Sequence, residues 1–147
     1  VFHNKVGSLN RLNSLVRKLE KQNALEAYDK IMQDQMKQGI VERAEKEATS
    51  KEFYIPHKPV IRESAETTKM RIVYDASARA NSKVPSLNDC LETGPPLQNL
   101  LWSVLVRNRF HAVAVAGDLK QAFLQVRIRE QERDVLRFHW LKDLQSK

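Results

Sequence analysis

The chain has 147 residues, 41% hydrophobic and 29% charged, a balance that supports a buried core and excludes a disordered polymer. Twenty-five Lys and Arg against 18 Asp and Glu leave a net charge of +7, which fits either a mildly basic surface or a polyanionic partner. One cysteine, Cys90, excludes an internal disulfide framework and a cysteine-based zinc cluster and fits a reducing compartment.

The longest apolar run, residues 112–116, falls far short of the roughly 20 residues a membrane helix needs, so no membrane partner is expected. The first residues, V-F-H-N-K-V-G-S, lack the apolar stretch of a secretory signal, and a start at Val1 rather than methionine fits a processed chain or a fragment. Charge is uneven: residues 1–52 carry +2, 53–83 carry +3, 84–117 zero and 118–147 +2, so the excess flanks a neutral, apolar middle.

Ser8 or Asn10 is suited to cap a helix, because Leu9, Leu12, Leu15, Val16 and Leu19 follow at helical spacing. Leu25, Tyr28, Met32 and Met36 continue a second stripe. Residues 9–38 are therefore expected to form one long amphipathic helix, or two joined near residues 21–24. Gly39 ends the pattern, with Ile40 where a Schellman turn places its hydrophobic contact. Residues 41–51 read as a short charged connection. From Phe53, the stretch F-Y-I-P-H-K-P-V-I-R includes two prolines without N–H donors, so an edge strand or an irregular extended segment is expected. E-S-A-E-T-T, residues 63–68, reads as a turn, and K-M-R-I-V-Y-D as the returning strand of an antiparallel hairpin.

A loop over 76–86, an apolar patch at 87–91 and a break at Gly94-Pro95-Pro96 lead to a helix predicted over 97–106. F-H-A-V-A-V-A-G-D predicts a strand buried on both faces. Residues 119–124 predict a helical turn, 125–129 a half-exposed strand, 130–134 a turn, and V-L-R-F-H-W a last strand. The class is mixed α+β, an antiparallel sheet with packed helices.

Asp118 follows a small, apolar strand and a glycine and precedes a helical turn. A carboxylate in that position can face a cleft and ligate Mg²⁺ for phosphoryl transfer, or, with Gln121 three residues on, it can form a capping box. Arg71 and Asp75 lie four apart on one strand face, as a surface ion pair or as a triphosphate contact, with Asp75 steadying backbone or Arg79. Arg62 on the partner strand would supply a second cation; the planar guanidinium fork suits phosphate. Phe123 is either core or an aromatic edge against a nucleotide sugar. Gln125, Arg127 and Arg129 either face template or form a solvated strand. His3, His57, His111 and His139 show no metal-ligand spacing and are assigned to surface or core. No glycine-rich phosphate loop exists, because the four glycines stand apart.

Y-I-P-H-K-P-V-I-R, T-K-M-R-I-V-Y-D-A-S-A, S-L-N-D-C-L-E-T-G-P-P-L-Q and G-D-L-K-Q-A-F-L-Q-V, followed by R-D-V-L-R-F-H-W, occur in this order over residues 54–140. Together they closely resemble the reverse transcriptases of BEL/Pao-type long-terminal-repeat retrotransposons. The resemblance implies an N-terminal helical segment over 1–50 and a partial reverse transcriptase domain over 51–147, the fingers and first part of the palm of a right-hand polymerase. It implies a metal-binding role for Asp118, with the Leu119 carbonyl as a further ligand, and two Mg²⁺ ions in a complete enzyme. Phe123 matches the aromatic gate against a ribose 2′-hydroxyl, Arg71 the fingers arginine on the incoming triphosphate, and Asp75 an acidic residue near the template strand. Arg62 falls close to a second basic fingers position, in a loop of different length.

The implied partners are an RNA template, a DNA primer, dNTPs and the rest of a Pol polyprotein, in a cytoplasmic retrotransposon particle. No Y-x-D-D motif occurs in the 147 residues, so the isolated chain is expected to lack polymerase activity. A non-catalytic basic chain that binds nucleic acid or a partner is the alternative.

Overall fold

The computed structural model describes residues 4–44, 51–62 and 70–144. Among them the class is mixed α+β, with four α-helices, two short 3₁₀ helices and a two-stranded antiparallel sheet. The chain divides into two compact units, Val1–Cys90 with Arg127–Lys147, and Leu91–Val126. In the first of these, Met70 and Ile72 of the hairpin pack against the core of the N-terminal helices.

In the first unit, helices α1 (Lys5–Lys21) and α2 (Leu25–Lys37) are two, not one. Their joint explains why. The Asn23 N–H donates to the Glu20 carbonyl at 3.0 Å and the Ala24 N–H to the Leu19 carbonyl at 2.9 Å, with Asn23 at φ 50°. This is a Schellman turn with asparagine in the left-handed position. The expected turn after α2 repeats it. The Gly39 N–H donates to Met36 at 3.1 Å and Ile40 to Gln35 at 2.9 Å, with Gly39 at φ 69°.

The start of α1 differs from expectation. Neither Ser8 nor Asn10 caps it; Asn4 precedes its first turn and makes no side-chain cap. The Asn4 amide is engaged elsewhere: its Nδ2 donates to the Tyr54 carbonyl at 2.8 Å, and its Oδ1 accepts the Tyr54 N–H at 2.9 Å. Ser8 lies buried inside the helix and pairs through Oγ with His139 Nδ1 at 3.2 Å.

Leu15, Leu19, Ala24, Tyr28 and Met32 form the main core, against which Met70, Ile72, Phe138 and Trp140 pack. The hairpin forms as expected from β1 (His57–Ile61) and β2 (Met70–Tyr74), in the register His57↔Tyr74 to Ile61↔Met70. Its turn, expected at 63–68, lies outside the described residues. Phe53, Ile55 and Leu87 make a second cluster with Tyr74 and Val135. Leu87 opens the one-turn helix α3 (Leu87–Cys90), which begins with a capping box: Asp89 accepts from the Ser86 N–H and hydroxyl at 2.7 Å each.

The expected last strand over 135–140 does not form: the 3₁₀ helix η2 (Glu130–Leu136) covers the expected turn at 130–134 and takes in Val135 and Leu136, and residues 138–140 are irregular. Only Arg137 bridges, in parallel, to Tyr54, and the Ile55 N–H donates to the Arg137 carbonyl at 2.7 Å. Phe138 and Trp140 then turn into the core.

The second unit holds α4 (Leu101–Asn108) and the 3₁₀ turn η1 (Ala122–Gln125). Helix α4 starts later than predicted, with Leu100 and not a proline at its entry. The strand expected over 110–117 is absent: residues 113–119 are irregular, and Val113 and Val115 are 76% and 89% exposed. An apolar run becomes a strand only where a neighbour supplies the hydrogen-bond ladder, and no described strand pairs with this one.

Candidate functional site

Strand β2 alternates: Met70, Ile72 and Tyr74 turn inward, while Arg71 and Val73 face solvent. The register sets Arg71 opposite Val60 and Val73 opposite Lys58, so Lys58, Val60, Arg71 and Val73 share the outer face. Arg62 is exposed immediately past the last residue of β1. The side chains of Lys58, Arg62 and Arg71 have no hydrogen-bond or ion-pair partner among the described residues. The hairpin thus presents an open cationic face whose inner side is anchored in the core. Lys58, which the sequence reading did not single out, was signalled by its period-2 spacing from Arg62.

Asp75 does not join that face. Strand β2 ends at Tyr74. The Asp75 N–H donates to the Pro56 carbonyl at 2.8 Å, and its Oδ1 accepts the Ser77 hydroxyl at 2.6 Å. A short carboxylate is satisfied locally by a hydroxyl two residues on, so the expected pair with Arg71 does not form. Arg79 is not held by Asp75 either. Its guanidinium pairs at 2.9 Å with Asp89, whose pKa is lowered mainly by the Ser86 hydroxyl.

In the second unit, Asp118 is exposed and has no polar partner among the described residues. The capping box with Gln121 does not form: η1 begins at Ala122, after Gln121 at φ 53°, without a side-chain cap. Asp118 also does not leave a buried strand, because the segment before it is irregular. Phe123 is 94% exposed, so it is not core, and Leu119 is 77% exposed. The expected half-exposed strand over 125–129 is not formed, although Arg127 and Arg129 are exposed.

The resemblance implies Mg²⁺ at Asp118 and the Leu119 carbonyl. Among the described residues, no group of three His, Cys, Asp or Glu side chains gathers in a metal-holding arrangement. One carboxylate and one adjoining carbonyl do not make a resident site for an ion that demands an octahedral oxygen shell. Also among the described residues, no helix is long and apolar enough to cross a membrane.

Two histidines are structural. His57 Nε2 lies 2.8 Å from the His139 carbonyl, and Nδ1 lies 2.6 Å from the Tyr28 hydroxyl. A carbonyl only accepts, so Nε2 carries the proton and Nδ1 accepts from Tyr28. The Tyr28, Tyr74, Phe138 and Trp140 rings surround the imidazole at centroid distances of 5.5–5.9 Å. Burial lowers the His57 pKa, and the His139 carbonyl only partly offsets it. His139 stacks on Tyr54 at 4.3 Å. His111 is exposed, and His3 lies outside the described residues. Compared with known proteins, the chain matches no family model, no curated protein and no solved structure.

Proposed function

We propose that this chain is the fingers and first part of the palm of a BEL/Pao-type RNA-directed DNA polymerase, a piece of a Pol polyprotein that works with RNA template, DNA primer and dNTPs. The ordered motif blocks support this reading. The observation that carries it is the outer face of the hairpin, where Arg71 stands exposed opposite Val60, alongside Lys58 and without an anionic partner among the described residues. Arg62 adds a cation just past the end of β1. A guanidinium takes phosphate oxygens bidentately, and a cation that is not neutralised within the fold is free to do so.

In nucleotidyl transfer, the primer 3′-oxygen attacks the α-phosphate and pyrophosphate leaves. This chain's part is to orient the triphosphate through Arg71, so that its contribution is positioning. Asp118 is its palm carboxylate. Alone, the chain binds nucleotide and does not extend a primer.

Calorimetric titration tests the reading. The chain is expected to bind dTTP and to bind dTMP at least tenfold more weakly. Arg71→Ala should lower dTTP affinity about tenfold, the loss of one or two charge-assisted hydrogen bonds of ~1.5 kcal/mol. Equal dTTP affinity in the variant would overturn it. A second reading, a non-catalytic chain that binds nucleic acid through the same cationic face, is favoured by the lack of a metal-holding cluster among the described residues. Salt-dependent binding of an RNA–DNA hybrid, with no preference for dTTP over dTMP, would select it.

A further inference from the structure

A separate basic feature lies outside the hairpin. The backbone is extended at Val126 and again at Arg129, where it enters η2, and burial alternates between them: Arg127 and Arg129 are exposed while Ile128 is half-buried. Both guanidinium-bearing residues are thus open to solvent within one short segment. With Ile128, Glu130 and Arg133 they line an open concavity.

Arg133 has a different task. Its Nε donates to the Ile128 carbonyl at 3.0 Å, and its Nη1 reaches both Glu42 carboxylate oxygens at 2.8 and 3.0 Å. This guanidinium is neutralised inside the fold and holds the extended segment in place by its backbone. Arg127 and Arg129 have no such partner among the described residues, and Glu130 is the one acid lining the concavity. The result is two free cations at fixed spacing on a strap that Arg133 pins from behind.

We infer that this strap binds the phosphate backbone of a nucleic-acid strand, Arg127 and Arg129 each neutralising one phosphate and Arg133 acting as the positioning residue. The inference rests on the nucleic-acid reading above and adds a second contact surface to it. The geometry favours a backbone contact over base readout, because two arginines on an open, shallow surface meet the repeating charge of a strand and have no groove to enter.

Fluorescence anisotropy with a labelled 20-nucleotide RNA, over a series of salt concentrations, tests it with the full chain. The double variant R127A/R129A should reduce the slope of log K against log salt by about 1.4, two phosphates at ~0.7 each on a single strand. R127K/R129K should keep the wild-type slope. Both sites are exposed, and an unchanged circular dichroism spectrum confirms folding. A wild-type slope in R127A/R129A overturns the inference while leaving the Arg71 titration untouched. Failure of the wild-type chain to bind RNA even at low salt overturns both readings. Displacement of the RNA by poly-aspartate at equal charge concentration would reassign the strap to an acidic protein partner.

Discussion

His57 sits where α2, both strands and the C-terminal segment meet, and its protonation state matters to all of them. The groups facing it are the Tyr28 hydroxyl, the Tyr74 phenol, the Trp140 ring (whose indole N–H donates to Asp29 at 2.7 Å) and His139. The folded imidazole is neutral because burial holds its pKa below the ordinary 6.5. The unfolded chain takes up the proton at 6.5 and the folded chain only at lower pH. The stabilisation is therefore present above 6.5 and is lost as pH falls through that value toward the folded pKa. His139 is lowered in the same direction, first by burial and then by Lys5 and His57, and being more exposed contributes less. Urea unfolding should show stability falling below pH 6.5 by up to about 1.4 kcal/mol per pH unit from His57. His57→Phe should flatten most of that slope and cost about 1–3 kcal/mol at pH 7.5, because the buried Tyr28 hydroxyl and the His139 carbonyl lose their partner. Stability that does not change between pH 7 and 5 would refute the assignment. No spacing rule singles out His57, since its neighbours come from positions 28, 74, 138 and 140.

Helix ends show how local chemistry sets element boundaries. Gly39 and Asn23 occupy equivalent left-handed positions at φ 69° and 50°, and no atom crowds a Cβ built at Gly39. Any penalty for a side chain there is conformational alone. Gly39→Ala should destabilise the chain by about 1 kcal/mol, and Asn23→Gly should stabilise it by a few tenths. Opposite shifts in the urea midpoint at unchanged m-value would bear this out; shifts of the same sign would not. The glycine was readable in the sequence and the asparagine was not, because asparagine serves as cap, turn and surface residue alike. The same ambiguity misdirected the start of α1, where Asn4 pairs with the Tyr54 backbone and not with its own helix.

At the scale of the molecule, the two units differ in burial. The first contains fully buried Leu19, Tyr28 and Met32. In the second, residues 91–126, no described side chain is fully buried, and Leu97, Leu100, Trp102 and Phe110 are all more than 70% exposed. Segments that bury little open at low free energy. Hydrogen-exchange mass spectrometry should find α4 and residues 113–119 exchanging close to the rate of an unstructured peptide, and α1 and α2 protected. Protection of α4 equal to that of α2 would contradict this.

Helices α1 and α2 and the hairpin were legible from residue order, since amphipathic periodicity and the alternation of M-R-I-V-Y depend on neighbours a few positions away. That alternation also put Arg71 on an outer face. The surroundings of Asp118 were not legible: whether an apolar run such as residues 112–116 becomes a strand depends on a partner ladder from elsewhere in the chain. The capping box with Gln121 and the ion pair between Arg71 and Asp75 failed for a related reason. Spacing states which groups are able to meet, whereas the backbone left-handed at Gln121 and the hydroxyl of Ser77 determine which do.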